Sequence, residues 1–271
     1  MNPLEFLLSV KTETTLPQPV PAYSNECSPS QPAKLALVVP TLHEALNIEA
    51  VLERIRRSLD ALGIDYELIV VDDDSRDGTD VIVKRIAAQD RRVRLLVRTG
   101  ERGLSGAISY GWQNSSADVL GVIDADLQHP PEVLPDLWRG MDSHDLAIAS
   151  RYAAPGGMKD WNPVRRLLSR ISTKLAVPVQ KKSIRVRDPL SGFFLVRRSC
   201  LDGLVVQPHG FKILLEILVR GNVRSVAEVP FVFGERARGN SKAGLSTGLD
   251  YLYLLGKLWR QRQSTKPSRD K

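Results

Sequence analysis

The sequence predicts an α/β protein with a mostly parallel central sheet and helices on both faces. Short apolar runs alternate along the chain with segments whose apolar residues recur every three to four positions, the periods of strand and helix. The runs show little polar alternation, as in strands covered on both sides. A cluster of polar residues also follows each of the first four runs, and in such sheets the loops beyond the strand ends gather to bind ligands.

Residues 1–33 contain Pro3, Pro17, Pro19, Pro21, Pro29 and Pro32 among many Ser, Thr and Gln, without an apolar period. A disordered leader is expected there. From Lys34 the pattern changes: residues 35–39 are predicted as the first strand and 44–62 as a helix, on Ile48, Val51, Leu52, Ile55 and Leu59. A strand over 66–71 follows, then a turn cluster over 72–79 able to cap a second helix at 81–88. Residues 93–97 form the third predicted strand and 104–114 the third helix. Further strands are predicted over 145–150 and 188–196, helices over 161–177, 211–219 and 245–259, and an extended run over 223–233. The last helix carries aromatics, so it either packs or lies in a membrane interface.

The chain is organised around residues 118–131, Asp-Val-Leu-Gly-Val-Ile-Asp-Ala-Asp-Leu-Gln-His-Pro-Pro. Val119, Leu120, Val122 and Ile123 form the fourth strand, and Pro130 and Pro131 stop the run and seed a helix over 132–141. In an extended chain Asp124 and Asp126 leave the same face, which Gln128 continues. Two carboxylates and an amide oxygen form a hard-oxygen set suited to Mg²⁺ or Mn²⁺ that keeps several waters and is shared with substrate phosphates. An Asp-x-Asp alone is weak evidence, since polar strand ends often carry solvated aspartates. Its weight comes from three other clusters at the same sheet end: Pro40, Thr41 and Glu44; Asp72, Asp73 and Asp74; and Arg102 with Gly103.

A net charge of +7 predicts an anionic partner without naming it. On the 161–177 helix, Arg165, Arg166, Arg170 and Lys174 alternate with Leu167, Leu168, Ile171 and Leu175; the nearby loop adds Lys181, Lys182, Arg185 and Arg187. A basic surface beside the site follows if these are contiguous. The two cysteines, Cys27 and Cys200, favour no structural disulfide. No apolar stretch approaches the roughly 18 residues of a membrane span, so membrane contact is expected to be peripheral.

Several ordered motifs together resemble the inverting family 2 glycosyltransferases of the GT-A fold. They are Val39-Pro40-Thr41-Leu42-His43-Glu44, Val-Val-Asp-Asp-Asp-Ser-Arg-Asp-Gly-Thr at 70–79, Arg-Gly-Leu-Ser-Gly-Ala at 102–107, and residues 123–130. Ser150-Arg151-Tyr152, the segment from Trp161 through Arg165 to Ser169, residues 188–193 and 210–216, and Arg-x-x-Gly-x-Ser-Lys at 236–242 narrow the resemblance to the dolichol- or polyprenol-phosphate mannosyltransferases. It covers about residues 34–258, leaving 259–271 as a basic tail.

The resemblance implies transfer of mannose from GDP-mannose to a polyprenyl phosphate, with inversion, by a peripheral protein at the cytoplasmic membrane face, with a recruiting membrane protein as a possible partner. By position, Pro40, Glu44, Val71 and Asp73 would hold the nucleotide, with Asp124 and Ala125 beside its ribose and diphosphate. Asp126 and Gln128, with Asp124, would bind the metal. Arg151, Arg165 and Ser169 would gather the acceptor phosphate near the sugar, and Arg236 and Lys242 would neutralise the donor diphosphate. Leu42-His43 stands where relatives often have Tyr-Asn, removing an aromatic from the nucleotide pocket.

This chemistry needs no general base. A phosphate monoester is largely ionised at neutral pH, with its second pKa near about 6. His43, His129, His144 and His209 are therefore expected to be structural or supporting. A UDP-sugar:polyprenyl-phosphate transferase is the rival within the same fold. A basic nucleic-acid-binding protein would explain the charge but leave the polar loops idle, and no aromatic-basic RNA signature is present. A Rossmann dehydrogenase would need Gly-x-Gly-x-x-Gly after the first strand, which is missing.

Overall fold

A computed structural model describes residues 34–100, 102–158, 163–204, 212–234 and 246–264. The leader at 1–33 and the loop bearing Arg236 and Lys242 lie outside these residues. The chain runs β1 (Leu35–Thr41), α1 (Ile48–Asp60), β2 (Tyr66–Asp72), α2 (Thr79–Gln89), β3 (Val93–Val97), α3 (Leu104–Gln113) and β4 (Val119–Val122). It continues through α4 (Leu134–Gly140), β5 (Leu146–Ser150), β6 (Gly157–Met158), α5 (Pro163–Ala176), β7 (Phe194–Arg197), α6 (Ile213–Arg220), β8 (Val226–Pro230), β9 (Val232–Phe233) and α7 (Ser246–Ser264).

Seven strands form the main sheet in the order β3-β2-β1-β4-β7-β5-β8, while β6 and β9 pair separately. All neighbours are parallel except β7, which runs antiparallel to both β4 and β5. Strand alternation divides the core. Leu35, Leu37 and Val39 of β1 share one cluster with α1 and α4, whereas Ala36 and Val38 share the other with α3 and α6. Each buried Leu or Val among them contributes about 1.5–3 kcal/mol. Gly121 keeps the centre of β4 thin: a Cβ there would lie 2.6 Å from Leu195 and 2.8 Å from Leu37.

The boundaries differ where local hydrogen bonds redirect the chain. Helix α1 starts at Ile48 rather than residue 44, because His43 takes a φ of 57° and the N–H groups of His43, Glu44 and Ala45 donate to Ser75, Thr79 and Asp77. The strand expected over 188–196 begins only at Phe194, since the Ser191 hydroxyl accepts the Phe193 N–H and bends the chain before it. The extended run divides at Phe231, whose N–H donates to the Ser150 carbonyl. Helix α7 reaches Ser264 and does pack: Tyr251, Leu254, Leu255 and Leu258 join Ala176, Val179 and Leu215 in a third cluster.

Candidate active site

The first four loops meet beyond the carboxyl ends of β1 to β4. Thr41 Oγ1 donates to Asp72 (2.8 Å), and Asp72 also accepts the Ser75 N–H (2.9 Å) and the Ser75 hydroxyl. Asp73 ties in the third loop: its carboxylate accepts the Gly103 N–H at 2.8 Å and lies 3.4 Å from Arg98. Burial pushes the Asp73 carboxyl above its ordinary range, against the pull of Gly103 N–H and the Arg98 charge. Together these loops enclose a cleft of about 340 Å³ lined by Pro40, Glu44, Asp73, Asp124, Ala125 and Asp126, among others. Val71 is the exception among the described residues predicted to hold the nucleotide. Its side chain is fully buried facing α3, where it would meet a Cβ on Gly111, and it does not line the cleft.

Asp124 and Asp126 meet the cleft for a different reason than strand alternation. β4 ends at Val122, and a tight turn follows in which Leu127 adopts a φ of 62°. Within that turn Asp126 accepts the Gln128 N–H at 3.1 Å, while Gln128 Nε2 donates to the Gly234 carbonyl at 3.3 Å. Asp126 and Gln128 are buried, whereas the Asp124 side chain retains 33% exposure. Among the described residues, no group of three or more His, Cys, Asp or Glu side chains could hold a metal ion. Two carboxylates at a cleft edge with one nearby amide oxygen fit a hard cation that takes its remaining ligands from water and a diphosphate, because such an ion needs no all-protein cage.

A second cavity, of about 210 Å³, adjoins the first and shares Leu104 and Asp124 with it. Two cations line it, Arg151 and Lys212, beside the apolar Ile108, Leu190, Ile213 and Leu214. Arg151 is held by Asp188, a fully buried carboxylate, through Nε (2.8 Å) and Nη2 (2.7 Å), with the Arg151 N–H adding a third bond at 3.0 Å. Burial alone would lower the Arg151 pKa; the Asp188 hydrogen bonds and charge outweigh it and leave the net shift upward. Lys212 is shifted downward by burial and then by the Arg151 charge, with Asp124 and Asp188 opposing. The guanidinium of Arg151 also sits 5.6 Å from the ring centroids of Tyr152 and Phe233.

Ser169 of α5 reaches the same neighbourhood, its hydroxyl 2.8 Å from that of Tyr152. Arg165 lies on the same helix, four residues before Ser169. Arg236 and Lys242 lie outside the described residues. Sequence reasoning missed Lys212, Asp188 and His129 as parts of this site. Asp188 and Lys212 stand inside the motifs at 188–193 and 210–216 that carry the resemblance, and His129 falls among the histidines expected to be structural or supporting, but none of the three has a local signal for its place at the cavity.

An α/β sheet with a carboxylate-bearing cleft at its strand ends, joined to a cationic cavity, is the arrangement expected of the GT-A fold. A sequence model described as Glycosyl transferase family 2 matches residues 36–204. Dolichol-phosphate mannosyltransferase from Pyrococcus furiosus is 40% identical over 84% of this chain and 64% of its own length, so the chain spans less than two thirds of that relative. The Saccharomyces cerevisiae enzyme of that name is 37% identical over 83% of this chain and 86% of its own, and the Mycosarcoma maydis one 35% over 90% and 85%. The chain therefore belongs to glycosyl transferase family 2, in its group of dolichol-phosphate mannosyltransferases, and is a glycosyltransferase.

Among solved structures, glucosyl-3-phosphoglycerate synthase from Mycobacterium tuberculosis with Mn²⁺, UDP-glucose and phosphoglyceric acid matches with a TM-score of 0.61. The identity is 22%, over 87% of this chain and 81% of that one. The same enzyme with Mg²⁺ and UDP gives 0.57 at 23% identity. At this distance the likeness shows the fold.

Proposed function

We propose that the protein transfers mannose from GDP-mannose to a polyprenyl or dolichyl phosphate, with inversion, giving polyprenyl phosphate mannose. One observation carries this reading: an acidic cleft and a cationic cavity with an apolar wall meet at Asp124. The cleft takes the nucleotide sugar, with Asp73 and Glu44 toward the nucleoside and Asp124 and Asp126 toward the diphosphate. Asp124, Asp126 and Gln128 would hold Mg²⁺ or Mn²⁺, which supplies charge neutralisation of the departing diphosphate. The cavity takes the acceptor. Arg151, with Lys212 beside it, draws in the phosphate, Ser169 and Arg165 of α5 are assigned to the same phosphate by their positions in the family motif, and Ile213, Leu214 and Leu190 receive the first carbons of the lipid.

The attacking phosphate oxygen already carries its charge, so these residues act by bringing two mutually repelling anions together and by stabilising charge as it moves to the leaving group. Asp188 keeps Arg151 aimed. Arg236 and Lys242 would add positive charge at the donor diphosphate.

The lipid acceptor calls for a membrane surface. Among the described residues no helix is long and apolar enough to cross a membrane. On α5, however, Leu167, Leu168, Ile171 and Leu175 are 45–59% exposed, beside exposed Arg166, Arg170 and Lys174. This pattern fits peripheral docking on anionic lipid at the cytoplasmic face, by the helix itself or assisted by a membrane-anchored partner protein.

The test is incubation of the pure protein with GDP-mannose, Mn²⁺ and a short polyprenyl phosphate, beside a panel of UDP-sugars. Product with GDP-mannose alone supports the proposal. Product only with a UDP-sugar assigns the rival donor, and salt-sensitive nucleic-acid binding without any sugar transfer removes the reading.

A further inference from the structure

We infer that His129 is a positioning residue that fixes the Asp124 carboxylate at the junction of the two cavities. The inference rests on the proposed donor site, because Asp124 is the group it positions. His129 is only 4% exposed, and its Nδ1 is fully enclosed without a hydrogen-bond partner among the described residues. Asp124 Oδ2 lies 3.3 Å away, in a geometry that falls short of a hydrogen bond. A buried ring nitrogen left without a partner is unfavourable, and hydrogen bonds of a catalytic site often tighten only when substrate is bound. Donor loading, which draws the Asp124 carboxylate into one orientation, closes this bond with the proton on Nδ1.

The surroundings leave the ring little freedom. Phe193, Phe231 and Phe233 pack around it at centroid distances of 5.7, 5.6 and 5.0 Å, the first and last edge-on. Gly192 also backs the carboxylate, since a Cβ there would stand 3.0 Å from Asp124 Oδ2. Phe233 also carries the Arg151 guanidinium, so one aromatic side chain touches both the ring behind the donor aspartate and the cation of the acceptor cavity. The strand that supplies it is pinned to the Asp-x-Asp turn by Gly234, whose N–H donates to the Gln128 carbonyl at 2.9 Å. Its neighbours thus hold the histidine ring in place, and the ring in turn holds one carboxylate.

Three variants separate this role from packing. His129→Phe keeps the aromatic volume and removes the donor. His129→Asn places an amide nitrogen where Nδ1 stands, and His129→Gln places one where Nε2 stands. Calorimetric titration of GDP-mannose with Mn²⁺ is expected to show His129→Phe and His129→Gln weakened by roughly 10-fold or more, with His129→Asn within about 3-fold of wild type. In an Asp124→Asn background, His129→Phe should change affinity by less than about 2-fold, because the group it positions has lost its charge. Wild-type affinity of His129→Phe, or an equal loss in both backgrounds, overturns the inference. Should His129→Phe fold poorly, the Asn and Gln variants decide: equal affinities refute the assignment, and retention by Asn alone supports it. Wild-type protein that binds UDP rather than GDP overturns the donor assignment only, and the same comparisons are then made with UDP. Wild-type protein that binds no nucleotide with Mn²⁺ overturns both readings.

Discussion

Asp188→Ala should be the most informative single substitution outside the donor cleft. Asp188 has no exposure, and its carboxylate accepts three hydrogen bonds from Arg151, two from the guanidinium and one from the backbone. The Arg151 side chain is itself only 11% exposed. Removing the carboxylate therefore leaves a cation largely out of water without its counter-charge, a change that costs about 3–5 kcal/mol. For a chain of this size each kcal/mol shifts Tm by roughly 2–4 °C, so thermal unfolding should fall by about 6–20 °C. Arg151→Ala combined with Asp188→Ala removes both charges and should recover much of that loss. Kinetics supply the second measurement. With Asp188 absent the guanidinium is free to turn from the cavity, raising the polyprenyl phosphate KM by about one to two decades while calorimetric GDP-mannose affinity stays near wild type. An unchanged Tm together with unchanged acceptor kinetics in Asp188→Ala would refute the reasoning, since the arginine would then be held by something else.

Asp126→Ala should abolish transfer and Mn²⁺-dependent nucleotide binding, with Asp124→Ala milder; full Asp126→Ala activity in excess EDTA would end the metal assignment. Liposome flotation should be strong on anionic vesicles and fade with salt, because exposed charges are screened beyond about 8 Å at physiological ionic strength. Replacing Leu168 and Ile171, both exposed on α5, with Asp should abolish it. At the far side of the domain, hydrogen bonds from Arg92 hold the Asp90 carboxyl at about 2 against partial burial. Its unfolded value is about 3.9, so its stabilisation is complete above that pH and lost as pH falls toward 2. Discounted for the 40% exposure of Arg92, this is about 1 kcal/mol, and Asp90→Asn should remove that acid-induced loss in a denaturation series run by pH. Cys200, buried and pushed up to about 11, should resist iodoacetamide at pH 8 when its peptide is followed by mass spectrometry.

Most of the architecture was legible because it rests on local periods. Leu35 to Val39 and the Ile48, Val51, Leu52, Ile55 and Leu59 stripe state their strand and helix within a few residues, and the structure buries each of them. The clusters at Pro40, Asp73, Gly103 and Asp124 were locatable for the same reason: parallel strands alternating with helices must end on one side, which carries their loops to a common cleft. Motif order then narrowed the chemistry.

Tertiary structure decided what depends on partners distant in sequence. The reversal of β7 between β4 and β5 follows from which strands it meets, and the residues that bend the chain before it act through Ser191 rather than through any apolar pattern. Asp124 and Asp126 reach the cleft by a turn with Leu127 in the left-handed region, not by alternation along an extended strand. Val71, placed by resemblance beside the nucleotide, turns its side chain beneath α3 because its position in β2 faces that helix. Asp188 finds Arg151 across 37 residues, and His129 meets Phe193, Phe231 and Phe233 only after three separate segments have folded. Periodicity records which way a residue faces within its own element; the identity of the group it faces is fixed only when the strands pair and the helices cover them.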